Sequence, residues 1–299
     1  MKDKKGTFQT YAMLLPNLIL FVTMSVYPIM WALQYMFYDY DGITPKKFVG
    51  LANFVRVFTR DDSFWKTVRN TFVYAGAKIF FIIPFAFVVA ILINNQKKVY
   101  GGIQAIIFSP TIMSSSVMAL VFYLLFNIYN GEINHMLMSA GIVSQPINWL
   151  GKEYAMATVV TVAVWGGIGN YMVYFLAGLQ QIDTSVYESA DLDGANSMQK
   201  LIFITIPLLG PVLKTILMLA IVHGFHDMES IMVLTEGGPF QATRTMFLYI
   251  YQLYYPTADT SAFLPQYGYG AAVSIVSATI VGIVTVLYLR ASKKLDDIY

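Results

Sequence analysis

The 299-residue sequence contains no cysteine and few charged residues. The absence of cysteine excludes a disulfide-stapled scaffold. Charged residues make up only 12% of the chain, whereas a soluble domain carries about 25%, so the chain cannot cover a globule of its size with a polar surface. The net charge of +2 is too small to indicate nucleic acid as a partner. With 57% hydrophobic residues and a mean hydropathy of +0.59, the composition excludes disorder and predicts an integral membrane protein.

The sequence also lacks the motifs of common enzymes. There is no GxxxxGK[ST] sequence, so we expect no P-loop nucleotide site, and any work driven by ATP requires a separate subunit. HExxH and GxSxG are absent, which argues against a metalloprotease or a serine hydrolase. His223 and His226 lie near Asp227, but no further ligands follow at a convincing spacing, so we predict no metal site. We therefore expect neither catalytic residues nor a cofactor bound by this chain.

Six apolar stretches are long enough to cross a bilayer, which needs about 20 residues for each helix. These predicted spans cover residues 11–37, 71–93, 103–126, 155–179, 201–225 and 269–289. They do not alternate polar and apolar residues as the strands of a membrane barrel would. The sequence therefore predicts an all-α membrane protein with a six-helix bundle in residues 11–290, flanked by short tails at 1–10 and 291–299.

The orientation of the spans depends on where the basic residues lie. They divide almost evenly between the two sides, but those on the side of the termini lie in short tails and loops, where the positive-inside bias is counted. We therefore expect both termini to be cytoplasmic. The long, aromatic-rich segments 38–70, 127–154 and 226–268 then all face the outside.

The segment between the fourth and fifth spans, residues 181–200, carries helix-capping signals. Ser185 followed by Glu188 has capping-box spacing, which predicts that a helix starts there. Gly194 suits the left-handed residue that ends a helix, and Asn196 or Ser197 can cap the next one. These signals predict a short helix, a tight turn and a departing helix, an arrangement that an ordinary connector would also have.

The same segment resembles the EAA motif of ATP-binding-cassette importer permeases, and more narrowly that of the maltose-type sugar permeases. The similar residues are Glu188-Ser-Ala-x-x-Asp193-Gly194-Ala195, continuing to Pro207. The resemblance extends along nearly the whole chain, in order, through Phe48-Val-Gly-Leu-Ala-Asn-Phe54, Asn70-Thr71, Phe108-Ser-Pro110, Gly131-x-x-Asn134, Asn148-Trp-Leu150, Trp165 to Gly178, Thr235-Glu-Gly-Gly-Pro239 and Tyr249-Ile-Tyr251. Two residues depart from the family pattern: Asp183 stands where proline is usual, and Ser189 replaces the first of two alanines.

The resemblance implies a type I importer permease fold with a coupling helix that docks in a groove of a cytoplasmic ATPase. The residues that it assigns to coupling are Ser185, Glu188, Ser189, Ala190, Asp193, Gly194, Ala195 and Pro207. It further implies a second homologous permease, two ATPase copies that hold ATP and Mg²⁺, and a solute-binding protein outside a bacterial or archaeal plasma membrane. Loops 38–70 and 226–268 are candidate docking surfaces for that binding protein.

The function implied by the resemblance is to form half of the pathway of an ATP-driven importer of di- or oligosaccharides. Uptake of glycerol phosphate or of polyamines is the alternative within this class of transporter. An ion-coupled secondary transporter is a third hypothesis, but it would require coupling-ion sites and usually inverted repeats, which the sequence does not reveal.

Polar and aromatic residues within and beside the spans are candidates to line a sugar pathway. Polar side chains inside a span tend to face a cavity, and sugars need hydrogen-bonding groups together with aromatic faces. The candidates are Ser114, Ser115, Trp165, Asn170, Tyr171, Tyr174 and Asp227. The alternatives are an interfacial aromatic belt and serine hydrogen bonds between helices. Lys78 lies near the start of its predicted span and is expected to snorkel to the interface.

Overall fold

The computed structural model describes residues 4–94, 100–256 and 264–295. Predicted features that involve residues 1–3, 95–99, 257–263 and 296–299, including the basic loop at Lys97 and Lys98, lie outside the described residues. In the described residues, the fold is helical apart from a two-residue antiparallel hairpin, in which β1 (Tyr38–Asp39) pairs with β2 (Lys47–Phe48).

The α-helices follow one another closely along the chain. The first eight are α1 (Lys4–Phe21), α2 (Tyr27–Leu33), α3 (Ala52–Thr59), α4 (Asp62–Asn94), α5 (Tyr100–Ile112), α6 (Ser115–Leu125), α7 (Glu132–Ser139) and α8 (Ala155–Leu179). The remaining seven are α9 (Thr184–Leu192), α10 (Ser197–Lys200), α11 (Ile206–Leu208), α12 (Gly210–His226), α13 (Glu229–Thr235), α14 (Met246–Tyr254) and α15 (Tyr267–Ala291). Two π-helical turns, Val22–Val26 and Leu201–Thr205, and two 3₁₀ turns, Gln34–Phe37 and Ser292–Leu295, adjoin some of them.

Four helical stretches are long and apolar enough to cross a membrane on their own. They are Tyr11–Phe37, Asp62–Asn94, Ala155–Leu179 and Tyr267–Ala291. The third and fifth predicted spans are instead bent helix pairs: α5 meets α6 at 92°, and the helical stretch Ser197–Leu208 meets α12 at 66°. The described residues therefore offer four to six spans, depending on whether each bent pair crosses as one.

Proline accounts for several of these irregular points. A proline inside a helix lacks an N–H group, and its ring clashes with the carbonyl four residues earlier. Each π-helical turn lies directly before such a position, the first before Pro28 and the second before Pro207. Widening the helix to a π turn relieves that clash at the cost of regular hydrogen bonding. Pro110 lies near the end of α5, just before the 92° bend.

The chain divides into two compact units. The first unit comprises Met1–Asp61 and Ile250–Ala278. In this unit Asn53 is buried and donates hydrogen bonds to the carbonyls of Met36 and Tyr38, each at 3.0 Å. These bonds hold the hairpin region against α3, which gives the Phe48–Phe54 segment a structural role.

The second unit comprises Asp62–Tyr249 and Thr279–Tyr299, and its core forms where α4, α5 and α12 pack on α8. Buried apolar side chains such as Ile82, Met172 and Ile216 fill this core. At Gly169 of α8, an added Cβ would lie 2.9 Å from the carbonyl oxygen of Ile107. Glycine therefore allows α5 and α8 to approach closely, as small residues do in membrane helix pairs.

Two asparagine side chains in the second unit connect segments that the family resemblance singled out. The Asn134 side chain donates to the carbonyl of Ile147 at 2.9 Å and accepts from the indole nitrogen of Trp149 at 3.0 Å. The Asn70 side chain donates to the carbonyls of Gln241 and Arg244. These contacts pin two long loops to helices of the same unit.

Candidate functional site

A cavity of about 610 Å³ lies in the second unit, among α4, α5, α6, α8, α12 and residues 227–230. Five residues predicted to line a pathway contribute to its wall, namely Ser115, Asn170, Tyr171, Tyr174 and Asp227. The other two lie elsewhere: Ser114 is at the break between α5 and α6, and Trp165 packs edge-to-face against Phe122. The face of α8 that carries Asn170 and Tyr174 therefore borders an open volume.

Lys78 does not snorkel to the interface, contrary to the expectation from the sequence. Its Nζ atom lies 2.7 Å from Oδ2 of Asp227, and the two side chains are only 12% and 18% exposed. The Tyr74 hydroxyl donates to the same carboxylate oxygen, and Ser230 donates to the other at 3.2 Å. The prediction failed because the Asp227 carboxylate lies within hydrogen-bonding distance of Nζ, and charged groups within spans tend to pair with one another.

Sequence reasoning missed Lys78, Tyr74 and Ser230 as residues associated with the site. The available signal was Lys78, one of two lysines inside predicted spans, together with a carboxylate, Asp227, directly after another span. Charges at membrane depth are expected to pair with each other, but the two residues are 149 positions apart in the chain. Only the packing of α4 beside α12 makes this pair apparent.

The two histidines near the cavity have ordinary surroundings. His226 Nδ1 lies 2.7 Å from the carbonyl oxygen of Val222, and its ring centroid lies 4.4 Å from that of Phe247. His223 lies on the cavity wall. Within residues 4–94, 100–256 and 264–295, no group of three His, Cys, Asp or Glu side chains is arranged to hold a metal ion.

The segment after α8 forms the short helix that the capping signals predicted, but it begins differently. The N-cap of α9 is Asp183, whose side chain accepts a hydrogen bond from the backbone N–H of Ser185 at 2.9 Å. The predicted start at Ser185 is therefore wrong, and Ser185 lies inside the helix. The hydrogen bond from this backbone N–H holds the pKa of the exposed Asp183 carboxyl below its usual value. Asp183, which stands where the family usually has proline, thus has a capping role.

The turn after α9 requires the glycine that the sequence places there. Gly194 has φ +78°, which is unfavourable for residues with a Cβ atom. The N–H of Ala195 returns to the carbonyl of Ala190 at 2.9 Å, closing the end of the helix. Asn196 and Gln199 then form a reciprocal capping box that starts α10, as predicted for Asn196.

The predicted coupling residues do not all share one surface. Ser185, Glu188, Ser189, Asp193 and Gly194 are exposed, Ala195 and Pro207 are half-buried, and Ala190 is buried. Ala190 therefore packs inside the chain and does not belong to the outer face of α9. Leu192, the last residue of α9, is 91% exposed.

A second set of contacts connects α9 to the π-helical turn that leads into α12. The Tyr187 hydroxyl and the Thr205 hydroxyl are 2.9 Å apart, and Lys200 forms an ion pair with Asp191 at 2.7 Å. These contacts join α9 to α10 and to the π-helical turn that follows α10. The sequence pattern alone predicted no role for these four residues.

Comparison with known proteins identifies the family of the chain. Residues 82–296 match the family described as "Binding-protein-dependent transport system inner membrane component". The chain is 31% identical to the lactose transport system permease protein LacF of Rhizobium radiobacter, over 93% of this chain and 92% of that protein. It is also 31% identical to the trehalose/maltose transport system permease protein MalF of Thermococcus litoralis, over 95% of this chain and 93% of that protein. The chain belongs to this family of inner membrane transport components.

A solved structure supports the same assignment. The chain aligns with a chain of the bacterial alginate ABC transporter in complex with alginate pentasaccharide-bound periplasmic protein. The TM-score is 0.83 at 25% identity, and the alignment covers 99% of this chain and 98% of the other. These findings confirm the all-α membrane fold of the type I importer permease kind. The protein is a multi-pass component of an inner membrane.

Proposed function

We propose that this chain is the permease subunit of an ATP-driven, binding-protein-dependent importer of sugars, and that it forms half of the translocation pathway. The observation that carries the proposal concerns the short, capped helix α9. This helix exposes one face and is connected along the chain to α8 and α12, which border a polar cavity. The α8 helix lines the cavity through residues 163–174 and continues to Leu179, a few residues before α9 begins. A force applied to α9 therefore acts on the cavity wall.

The cavity has chemistry that suits a carbohydrate. Asn170 and Ser115 offer hydrogen-bonding groups for hydroxyls, and the ring of the exposed Tyr174 offers an aromatic face for sugar C–H groups. The names of LacF and MalF refer to lactose and to trehalose and maltose, and the solved neighbour carries alginate. These names support a di- or oligosaccharide as the cargo here.

The energy source in this proposal is a separate ATPase. This chain has no P-loop sequence, so ATP and Mg²⁺ would be held by two copies of a cytoplasmic partner that contacts α9. The contact face at α9 consists of the exposed Leu192 side chain and the carboxylates of Glu188 and Asp193. A second, homologous permease would complete the pathway, and a solute-binding protein would dock on loops 38–70 and 226–268. Both termini are then cytoplasmic, because α9 must face the ATPase.

Transport by the intact complex tests this proposal. The complex is purified from its native membrane through a tag on this chain and reconstituted into vesicles. Uptake of labelled maltotriose and lactose is then measured with and without Mg-ATP on the ATPase side, in the presence of the binding protein. We expect uptake that requires both Mg-ATP and the binding protein.

Other results would favour the alternatives. Uptake that follows an ion gradient without nucleotide would indicate a secondary transporter. ATP-dependent uptake of glycerol 3-phosphate or spermidine, with no uptake of any sugar in a broad panel, would instead support the other importer classes.

A further inference from the structure

The charged groups around the cavity are few and unevenly paired. Its lining residues include one lysine, Lys78, and two carboxylates, Asp227 and Glu229, together with His223 and His226. Lys78 and Asp227 neutralise each other at 2.7 Å. Glu229 is exposed and forms no ion pair within the part of the chain that the structure describes. Apart from the two histidines, this side of the cavity therefore carries one unpaired negative charge.

The Lys78 ammonium group is held in place on two sides. The Asp227 carboxylate contacts it directly, and the Tyr74 ring centroid lies 5.6 Å from Nζ. Asp227 is fixed in turn by the hydroxyls of Tyr74 and Ser230. The carboxylate therefore occupies the position next to Nζ from which an anionic ligand would otherwise bind the lysine.

We propose that the Lys78–Asp227 pair sets the charge selectivity of the cavity. Asp227 masks the lysine, so the cavity admits uncharged sugars and disfavours anionic ones such as uronates. This inference rests on the proposed function and narrows its substrate class. The structural neighbour is described as importing the acidic polysaccharide alginate, so an anionic oligosaccharide is the informative ligand for comparison.

Charge placement gives the physical reason for this selectivity. A carboxylate on the ligand would approach the carboxylates of Asp227 and Glu229, and like charges repel each other. Removing the charge of Asp227 alone would leave a buried ammonium group without its partner. Such a group binds the nearest available anion, through charge-assisted hydrogen bonds. If the pair had a purely structural role, removing the charge of Lys78, of Asp227 or of both would leave the ligand preference unchanged.

The test compares two ligands that differ only in charge. Binding of trigalacturonate and of its neutral methyl ester to the purified transporter complex, without binding protein, is measured by titration calorimetry. We expect Asp227→Asn to bind trigalacturonate about tenfold or more tighter than the wild type, the size of one charge-assisted hydrogen bond. Binding of the ester should change much less.

Three further variants isolate the effect of charge. The double variant Lys78→Met/Asp227→Asn should return trigalacturonate binding to the wild-type level, because the exposed cation is gone. Lys78→Gln should shift the preference the opposite way, towards the cationic glucosamine trimer. Glu132→Gln removes an exposed carboxylate that does not line the cavity and should change neither preference.

The outcomes separate this inference from the proposed function. An unchanged trigalacturonate affinity in Asp227→Asn would overturn the inference. If that variant does not assemble, an unchanged ligand preference in Lys78→Gln overturns it instead. Tight binding of inorganic phosphate by Asp227→Asn, with no binding of any sugar by any variant, would support the charge role while counting against a sugar pathway.

Discussion

At the scale of single residues, Gly194 provides the sharpest test of coupling to an ATPase. Its φ of +78° disfavours any side chain, and no atom lies within 4 Å of the position that a Cβ atom would take. Gly194→Val therefore strains the backbone by about 1 kcal/mol or more without a steric clash. We expect the variant to insert and to pair with its partner permease, but to lose ATPase co-purification or the stimulation of hydrolysis by loaded binding protein.

Gly141 provides a matched control for this prediction. It also has a positive φ, +68°, and open space around its Cβ position, but it lies in the loop after α7. Gly141→Val should therefore suffer a similar strain and keep normal coupling. Glu188→Lys, which reverses a charge on the exposed face of α9, should behave like Gly194→Val. Normal ATPase retention and normal stimulated hydrolysis in both α9-region variants would reduce this segment to a connector.

Asn134 is a second residue whose loss has a predictable cost. Leucine at this position would leave the indole N–H of Trp149 and the backbone N–H of Ile147 without their acceptor. A fully buried donor left unsatisfied costs about 1–3 kcal/mol, and these two, on half-buried residues, cost less than that. We expect Asn134→Leu to lower the melting temperature of the purified complex and to alter Trp149 fluorescence.

Substitution of the exposed neighbour Asn130 by leucine serves as the control for Asn134. Equal melting temperatures for the two variants would show that the Asn134 hydrogen bonds contribute little.

Asn170 and Tyr174 test whether the exposed face of α8 contacts the cargo. A lost hydrogen bond or ring contact is worth about 0.5–1.5 kcal/mol, so Asn170→Leu and Tyr174→Ala should weaken apparent sugar affinity by about two- to tenfold. Uptake kinetics over several sugars give the measurement. Tyr123→Ala removes an exposed ring of α6 that does not line the cavity and should transport normally. If all three variants transport like the wild type, the α8 residues belong to an interfacial belt.

At the scale of helices, the sequence predicted some features of this fold much better than others. The bounds 155–179 match α8 because an unbroken apolar run of that length has no other stable state in a bilayer. The start of α9 was misplaced because Asp183 and Ser185 are both good caps two residues apart, and the extended backbone of Asp183 decides between them.

Features that depend on packing could not be predicted from sequence patterns. Pro110 near the end of α5 permits a bend but does not fix its angle, so the 92° between α5 and α6 could not be predicted from the sequence. The Lys78–Asp227 pair joins residues that are distant in sequence. The burial of Ala190 likewise depends on how α9 packs against the rest of the chain. Four cavity residues, Ser115, Asn170, Tyr171 and Tyr174, were predictable because polar groups inside a span face a cavity or another helix, and Asp227 lies just after its predicted span.

The cap of α9 gives a prediction at this scale. Asp183→Ala removes the acceptor for the Ser185 N–H, whereas Asp183→Asn retains one. We expect faster amide hydrogen exchange across α9, and weaker stimulation of the ATPase, in the alanine variant than in the asparagine variant. Identical exchange in both would show that the cap is dispensable.

The cap also has a definite pH dependence. Because the folded-state pKa of Asp183 is lowered, its contribution is complete above the unfolded pKa of about 3.9 and is lost as pH falls through the folded value. The difference between the alanine variant and the wild type should therefore persist throughout the neutral range and shrink only in strong acid. The measurement is amide exchange of α9 across this pH range, corrected for the intrinsic rate.

At the scale of the whole molecule, two bent helix pairs decide how many times the chain crosses the membrane. Each bent helix pair is either a broken span or a re-entrant loop, so α5 with α6, and α10–α11 with α12, decide the topology. The proposed function needs both pairs to cross. If the α5–α6 pair were re-entrant, the loop between α7 and α8 would face the cytoplasm. The α9 segment would then face the outside, where it could not contact a cytoplasmic ATPase.

Reporter fusions placed at loop positions decide this question. A reporter fused after Lys200 should be active only in the cytoplasmic form, and reporters fused after Lys152 and after Arg244 only in the external form. This pattern makes α8 a full span and makes the pair that ends at α12 cross as one. A fusion after Lys98, a residue outside the described part of the chain, should be cytoplasmic, so that α5 and α6 together also cross. If the Lys98 and Lys152 fusions lay on the same side, the α5–α6 pair would be re-entrant. If the Lys200 fusion were external, α9 would be out of reach of any cytoplasmic ATPase.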